Sequence, residues 1–118
     1  MKMSTLQENG RVLIPKLWVA MDFFSRFLGL MGRSGLRADE AVFFPKCNSI
    51  HTFFMRFRID VVFVDAEGKI IEIIEGLKAW RMLLPRSKAK HTIEFTASRT
   101  RELGLKTGMR LDWEEKIS

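Results

Sequence analysis

From Ser49 onward the chain alternates. His51, Phe53, Met55, Phe57, Ile59, Val61 and Phe63 fall on one side of an extended segment; Thr52, Phe54, Arg56, Arg58, Asp60, Val62 and Val64 fall on the other. DAEG at 65–68 then supplies a hairpin turn, with Gly68 free to take positive φ, and KIIEIIE at 69–75 reads as the return strand. Leu13 to Ala20 predicts an earlier strand, broken near its start by Pro15. Ala41 to Phe44 predicts another, ended by Pro45. Ile93, Phe95 and Ala97 alternate, as do Met109, Leu111 and Trp113 in the last strand.

The period changes to 3.6 only once over any length. Phe23, Phe24, Phe27, Leu28, Leu30 and Met31 make one helical face behind Asp22 as N-cap, with Gly32 and Gly35 as the stop. Ser98 to Leu103 adds a short helical turn closed by Gly104, and residues 77–91 read as a long loop or crossover. The sum is an α+β fold, mostly β: a curled antiparallel or mixed sheet, or a small barrel, with one packed helix. Residues 1–11 are expected to be a flexible tail and 12–118 a single globular domain. The expected core is Phe23, Phe27, Met31, Phe53, Phe57, Val61, Phe63, Ile71 and Ile73.

Charge widens the choice of partner without fixing it. The net charge is +6, which favours nucleic acid, anionic lipid or acidic ligands alike. The single cysteine, Cys47, excludes an internal disulfide and fits a reducing compartment. Residues 1–10 lack the apolar centre of a secretory signal. The stretch LWVAMDFFSRFLGLM is interrupted by Asp22 and Arg26, short of the ~18 apolar residues a membrane span needs. A soluble, cytoplasmic protein is the expectation.

Three groups of residues could carry chemistry. Cys47 and His51, four apart, could approach as nucleophile and base, with Asp60 as helper. In one extended strand, however, His51 and Asp60 would lie roughly 30 Å apart and on opposite faces. Cys47 and His51 could equally be half of a metal site, but zinc wants three or four protein ligands and the remaining supply is His91 and some carboxylates with no second cysteine; no metal or cofactor is expected. Arg56, Arg58 and Asp60 share a strand face and could form an anion-binding platform, the carboxylate orienting an arginine fork. Lys78, Arg81, Arg86, Lys88 and Lys90 make a basic run with Trp80 inside it. An exposed indole there could stack on a base, but no nucleic-acid-binding motif accompanies it.

Several blocks in order resemble the family catalogued as domain of unknown function 192. They are GLMGRSGL at 29–36, AVFFPKCNSIHTFFMRFRIDVVFVD at 41–65 running into DAEGKII, IEF at 93–95 and GLKTGMRL at 104–111. The resemblance covers about residues 12–113. It implies a mostly β domain with one packed helix, and no reaction or catalytic residue to carry over. Relatives with this histidine-containing version often have proline where Arg58 stands; here Arg58 restores a backbone donor and adds charge.

The resulting expectation is a small binding or accessory module, monomeric or weakly dimeric. It would recognise an anionic small molecule or an acidic protein through the Arg56/Arg58/Asp60 face or the 78–90 segment. A hydrolase- or transferase-like activity at Cys47 and His51 is the enzyme alternative, and weak nucleic-acid binding through 78–90 the third.

Overall fold

The computed structural model describes residues 2–20, 35–51 and 57–115. The helix expected from Phe23 to Met31, with its Asp22 cap, lies outside the described residues, as do Phe53 and Arg56.

The first strand contradicts the expected tail. Lys2–Glu8 is β1, and Arg11–Val19 is β2, antiparallel to it. Asn9 and Gly10 join them with φ of 50° and 79°, the paired left-handed residues that an Asn-Gly hairpin turn requires. Ser4 and Leu6 are thereby buried. Pro15 does not break β2. It sits where the β1–β2 register shifts between Ser4 and Leu6, and the pairing of β2 with the next strand begins only at Lys16. A residue without an N–H is tolerated at such a bulge.

The remaining elements are β3 (Glu40–Phe44), β4 (Ile50–His51), β5 (Ile59–Val64), β6 (Ile70–Leu77), β7 (Met82–Leu83), β8 (His91–Thr96), a short helix α1 (Arg99–Glu102) and β9 (Asp112–Glu115). Seven strands form one sheet in the order β6-β5-β8-β3-β2-β1-β9. Its single parallel pair among the described residues is β2–β3, the pair whose connection is long enough for a crossover. β4 and β7 form a separate two-stranded ribbon.

The alternation that began at Ser49 is therefore not one strand. The chain pairs with β7 at Ile50 and His51, bends at Phe57, and enters the large sheet at Ile59. From Ile59 the period of two holds, yet all six residues of β5 are buried. Val62 and Val64 join one core with Leu6, Ile14, Leu17, Phe43, Ile93 and Phe95. Ile59, Val61 and Phe63 join a second core with Val42, Phe44 and Ala20. The sheet is covered on both faces, so polar residues in its central strands are buried too. On β6 the fully buried residue is Ile70, whereas Ile71 and Ile73, expected in the core, are half-buried. A register shift at Phe63/Val64 and the strand's place at the sheet edge account for this.

The sheet curls without closing into a barrel, and its two ends meet at one point. The β5–β6 turn forms as expected: Asp65 Oδ1 accepts from the amides of Glu67 and Lys69, and Gly68 takes φ 87°. Gly68 and Ile70 then bond the segment before β9, with Leu111 N donating to Gly68 O, Ile70 N to Met109 O and Gly108 N to Ile70 O. A Cβ on Gly68 would stand 2.1 Å from Leu111 O. Gly68→Ala therefore adds a steric collision to the ~1–2 kcal/mol of a left-handed non-glycine residue. A loss of about 2–3 kcal/mol is expected by urea unfolding, against about 1 kcal/mol for Gly104→Ala, where the added Cβ meets open space.

Candidate functional site

Asp60 faces inward, and the reason lies in its neighbours. It is fully buried on β5. Its Oδ1 accepts from the amides of Gly76 (2.9 Å) and Ser98 (3.2 Å), and its Oδ2 from the amide (3.1 Å) and hydroxyl (2.6 Å) of Thr100. Four donors fill the roughly four acceptor positions of a carboxylate. α1 lacks a side-chain cap from its own Ser98, which is left-handed at φ 72°, and Asp60 supplies the cap from β5. Arg58, by contrast, is exposed and precedes the strand. The expected Arg56/Arg58/Asp60 platform does not form as drawn: its carboxylate belongs to the interior, and Arg56 lies outside the described residues.

Cys47 is partly buried against the second core, and its thiol donates to Ser49 O at 2.9 Å. Its carbonyl accepts from the Thr92 hydroxyl at 2.5 Å. The backbone of His51 pairs with Met82; its side chain lies outside the described part of the molecule. Among the described residues no group of three or more His, Cys, Asp or Glu could hold a metal ion.

The basic run divides into a latch and a surface. Arg86 donates to both oxygens of Glu72 (2.9 and 3.3 Å) and to Leu84 O (2.7 Å), and its guanidinium lies 5.2 Å from the centre of the Phe63 ring. The Glu72 hydrogen bond raises its pKa further. Arg86 N also donates to Asn48 O, and Asn48 Nδ2 to Arg86 O. Arg86 thus fastens the 77–91 segment onto β6 and the β3–β4 loop. Lys78, Arg81, Lys88 and Lys90 are exposed. Between them stand Trp80 (57% exposed, φ 60°), Met82 (61%) and Leu84 (68%).

Two titratable groups went unnoticed in the sequence as centres of their own. His91 packs on Phe43 and Trp113, with ring centres 5.2 and 5.6 Å away, and its Nδ1 accepts from Lys46 N at 2.9 Å. Burial first, then Lys90 and Lys46, lowers its pKa. Glu94 is buried between Val42 and Val61 on the neighbouring strands, and its Oε2 has no hydrogen-bond partner among the described residues. Burial pushes its pKa up to about 8. Glu40, also buried, is satisfied by Trp18 Nε1 (2.9 Å) and Arg37 N (3.1 Å). An open hollow of about 280 Å³ lies elsewhere, lined by Arg11, Val12, Leu13, Arg99, Glu102 and Leu103. Its arginines already pair with Glu8 and Glu102.

The segment 78–90 thus combines fixed backbone, exposed positive charge and exposed apolar side chains. That arrangement can bind a surface. Among the described residues, no helix is long and apolar enough to cross a membrane.

Residues 4–113 match the model of a family whose description reads "Uncharacterized ACR". A UPF0127 protein of Pyrococcus furiosus is 34% identical over 113 residues, covering 92% of this chain and 96% of that one. A crystal structure from Sinorhizobium meliloti, titled a "putative transcription regulator", superposes with a TM-score of 0.78 at 21% identity, covering 95% of this chain and 92% of the other. A protein of unknown function from Novosphingobium aromaticivorans gives 0.76 at 18% identity over 94% and 84%. At such identities the two structures share the fold and nothing finer.

Proposed function

We propose, for a chain that belongs to the uncharacterised DUF192 family, that it is a binding module whose partner is an acidic protein met on the 78–90 side. The observation that carries the reading is the setting of Lys78, Arg81, Lys88 and Lys90, all exposed, on a segment that Arg86 ties down from within. Arg58 adds exposed charge, and the net charge of +6 adds a long-range field. A small anion would need a concave site that surrounds it. The charges here are spread along an exposed segment, which suits a broad acidic surface better.

Titration with labelled poly-glutamate tests this. Lys88→Glu/Lys90→Glu is expected to weaken binding at least tenfold at low salt, and added salt to weaken the unaltered protein in the same direction. Both side chains are exposed, so the thermal midpoint should hardly move. Binding that ignores both the double reversal and the salt would remove the proposal. The name carried by the Sinorhizobium structure makes mixed-sequence single-stranded DNA the necessary control. Tighter binding of DNA than of poly-glutamate at equal charge would transfer the site to nucleic acid.

A further inference from the structure

Five large apolar side chains stand out as exposed among the described residues, and three of them, Trp80, Met82 and Leu84, fall within five positions. The other two, Met3 and Val12, are single exposures of the ordinary kind. A cluster of this type on a soluble domain marks a contact surface.

Trp80 adds an independent observation. It holds φ 60°, a left-handed conformation that costs a non-glycine residue roughly 1–2 kcal/mol. Gly10, Gly68, Gly76, Gly104 and Gly108 occupy the same region of φ in this fold. Asn9, Lys46 and Ser98 hold it too, and Trp80 is the largest side chain to do so among the described residues. The strained residue carries a large side chain that is 57% exposed, and backbone strain of this kind clusters at contact sites.

The strip is also pre-organised. Met82 pairs with His51 and Leu83 with Ile50 in the ribbon, Leu84 O accepts from Arg86 Nη1, and Arg86 is bonded to Asn48 and Glu72. Little ordering remains to be done when something lands on it.

We propose that Trp80, Met82 and Leu84 form the anchoring strip for an acidic protein segment that carries apolar side chains of its own. This rests on the acidic-partner reading above and specifies what the partner must present. Charge complementarity gives the sign: Lys78, Arg81, Lys88 and Lys90 flank the strip. The aliphatic members give the class. An indole alone could stack on a nucleotide base, but Met82 and Leu84 have no flat face to offer one. Their burial is favourable against leucine-, phenylalanine- or valine-like side chains.

The probes are a synthetic peptide alternating Glu with Leu and Phe, the same peptide with Ser at every apolar position, and single-stranded DNA of matching charge. The apolar acidic peptide is expected to bind at least tenfold tighter than its serine counterpart. Trp80→Gly and, separately, Met82→Ser/Leu84→Ser should each erase that margin. Trp80→Gly relieves the left-handed strain but also removes the indole's interactions within the fold, so its binding is read beside its thermal midpoint. If Trp80→Gly disturbs the fold, the Met82→Ser/Leu84→Ser protein, which leaves residue 80 alone, decides. Equal binding of the two peptides, still weakened by Lys88→Glu/Lys90→Glu, overturns the strip and leaves the electrostatic reading standing. DNA binding that disappears with Trp80→Gly overturns it in favour of base stacking. No binding of either peptide overturns both.

Discussion

Replacing Asp60 by alanine is expected to cost the fold roughly 3–5 kcal/mol. The change removes one carboxylate and strands four donors, on half-buried Gly76, exposed Ser98 and buried Thr100, that have been facing it. It also uncaps α1. Urea unfolding of Asp60→Ala beside the unaltered protein measures the loss. A cost under about 1 kcal/mol, within the range of an ordinary surface change, would show that these donors find other partners and that Asp60 is dispensable to the fold. Asp60→Asn should recover little, because its amide nitrogen would point a donor at donors.

Nothing local could have shown this role. The partners of Asp60 lie 16, 38 and 40 residues away along the chain. From the strand pattern alone it looked like the third member of a polar row. The row fails because the strand begins at Ile59, leaving Arg58 outside in solvent and Asp60 inside. The turn at 65–68, the short helix before Gly104 and the mixed, curled sheet were legible, since turn chemistry and period two are local properties. Asn9-Gly10 is a local hairpin signal for β1 as well, but KMSTLQE is polar for a strand. Its inward residues are only Ser4 and Leu6. At the proposed binding site the charges could be read from sequence. The division between the fastened Arg86 and the exposed lysines could not, because it depends on Glu72 and Asn48 being brought alongside.

Glu94 is expected to make the protein less stable as the pH rises. Burial pushes its carboxyl pKa up to about 8 when folded, against 4.5 for a solvated glutamate. Between those values the folded chain keeps a proton that the unfolded chain has released. The unfolded state then binds fewer protons, so the unfolding free energy falls with pH, by up to about 1.4 kcal/mol per unit from this group. Below the lower value the contribution is level, and above the upper one the loss is complete, on the order of a few kcal/mol. His91 works in the opposite sense. Its lowered pKa means that stability is lost as the pH falls through the range below 6.5, where protonation would also break the bond from Lys46 N. The clean measurement is a difference: urea unfolding of Glu94→Gln and of the unaltered protein at several pH values from 5 to 9. Glu94→Gln should gain steadily on the unaltered protein up to about pH 8 and level off above it. Parallel curves would mean that Glu94 is not the buried acid the structure makes it.

Glu94 was hidden for the same reason as Asp60. An acidic residue between Ile93 and Phe95 looks like the solvent side of a half-exposed strand. β8 lies inside the sheet with β3 and β5 on either hand, and Thr92 to Phe95 are all buried. A strand covered on both faces leaves its alternate residues no water to reach.

The pairing of β1 with β9 has a kinetic consequence. Ser4 lies opposite Glu115 and Gln7 opposite Asp112, so this contact closes a loop that runs from residue 4 to residue 115. Topologies dominated by such distant pairings fold slowly. On the ribosome, β1 must wait, its outer amides uncovered, until β9 has left the exit tunnel. During that interval it is an adhesive strip open to other nascent chains.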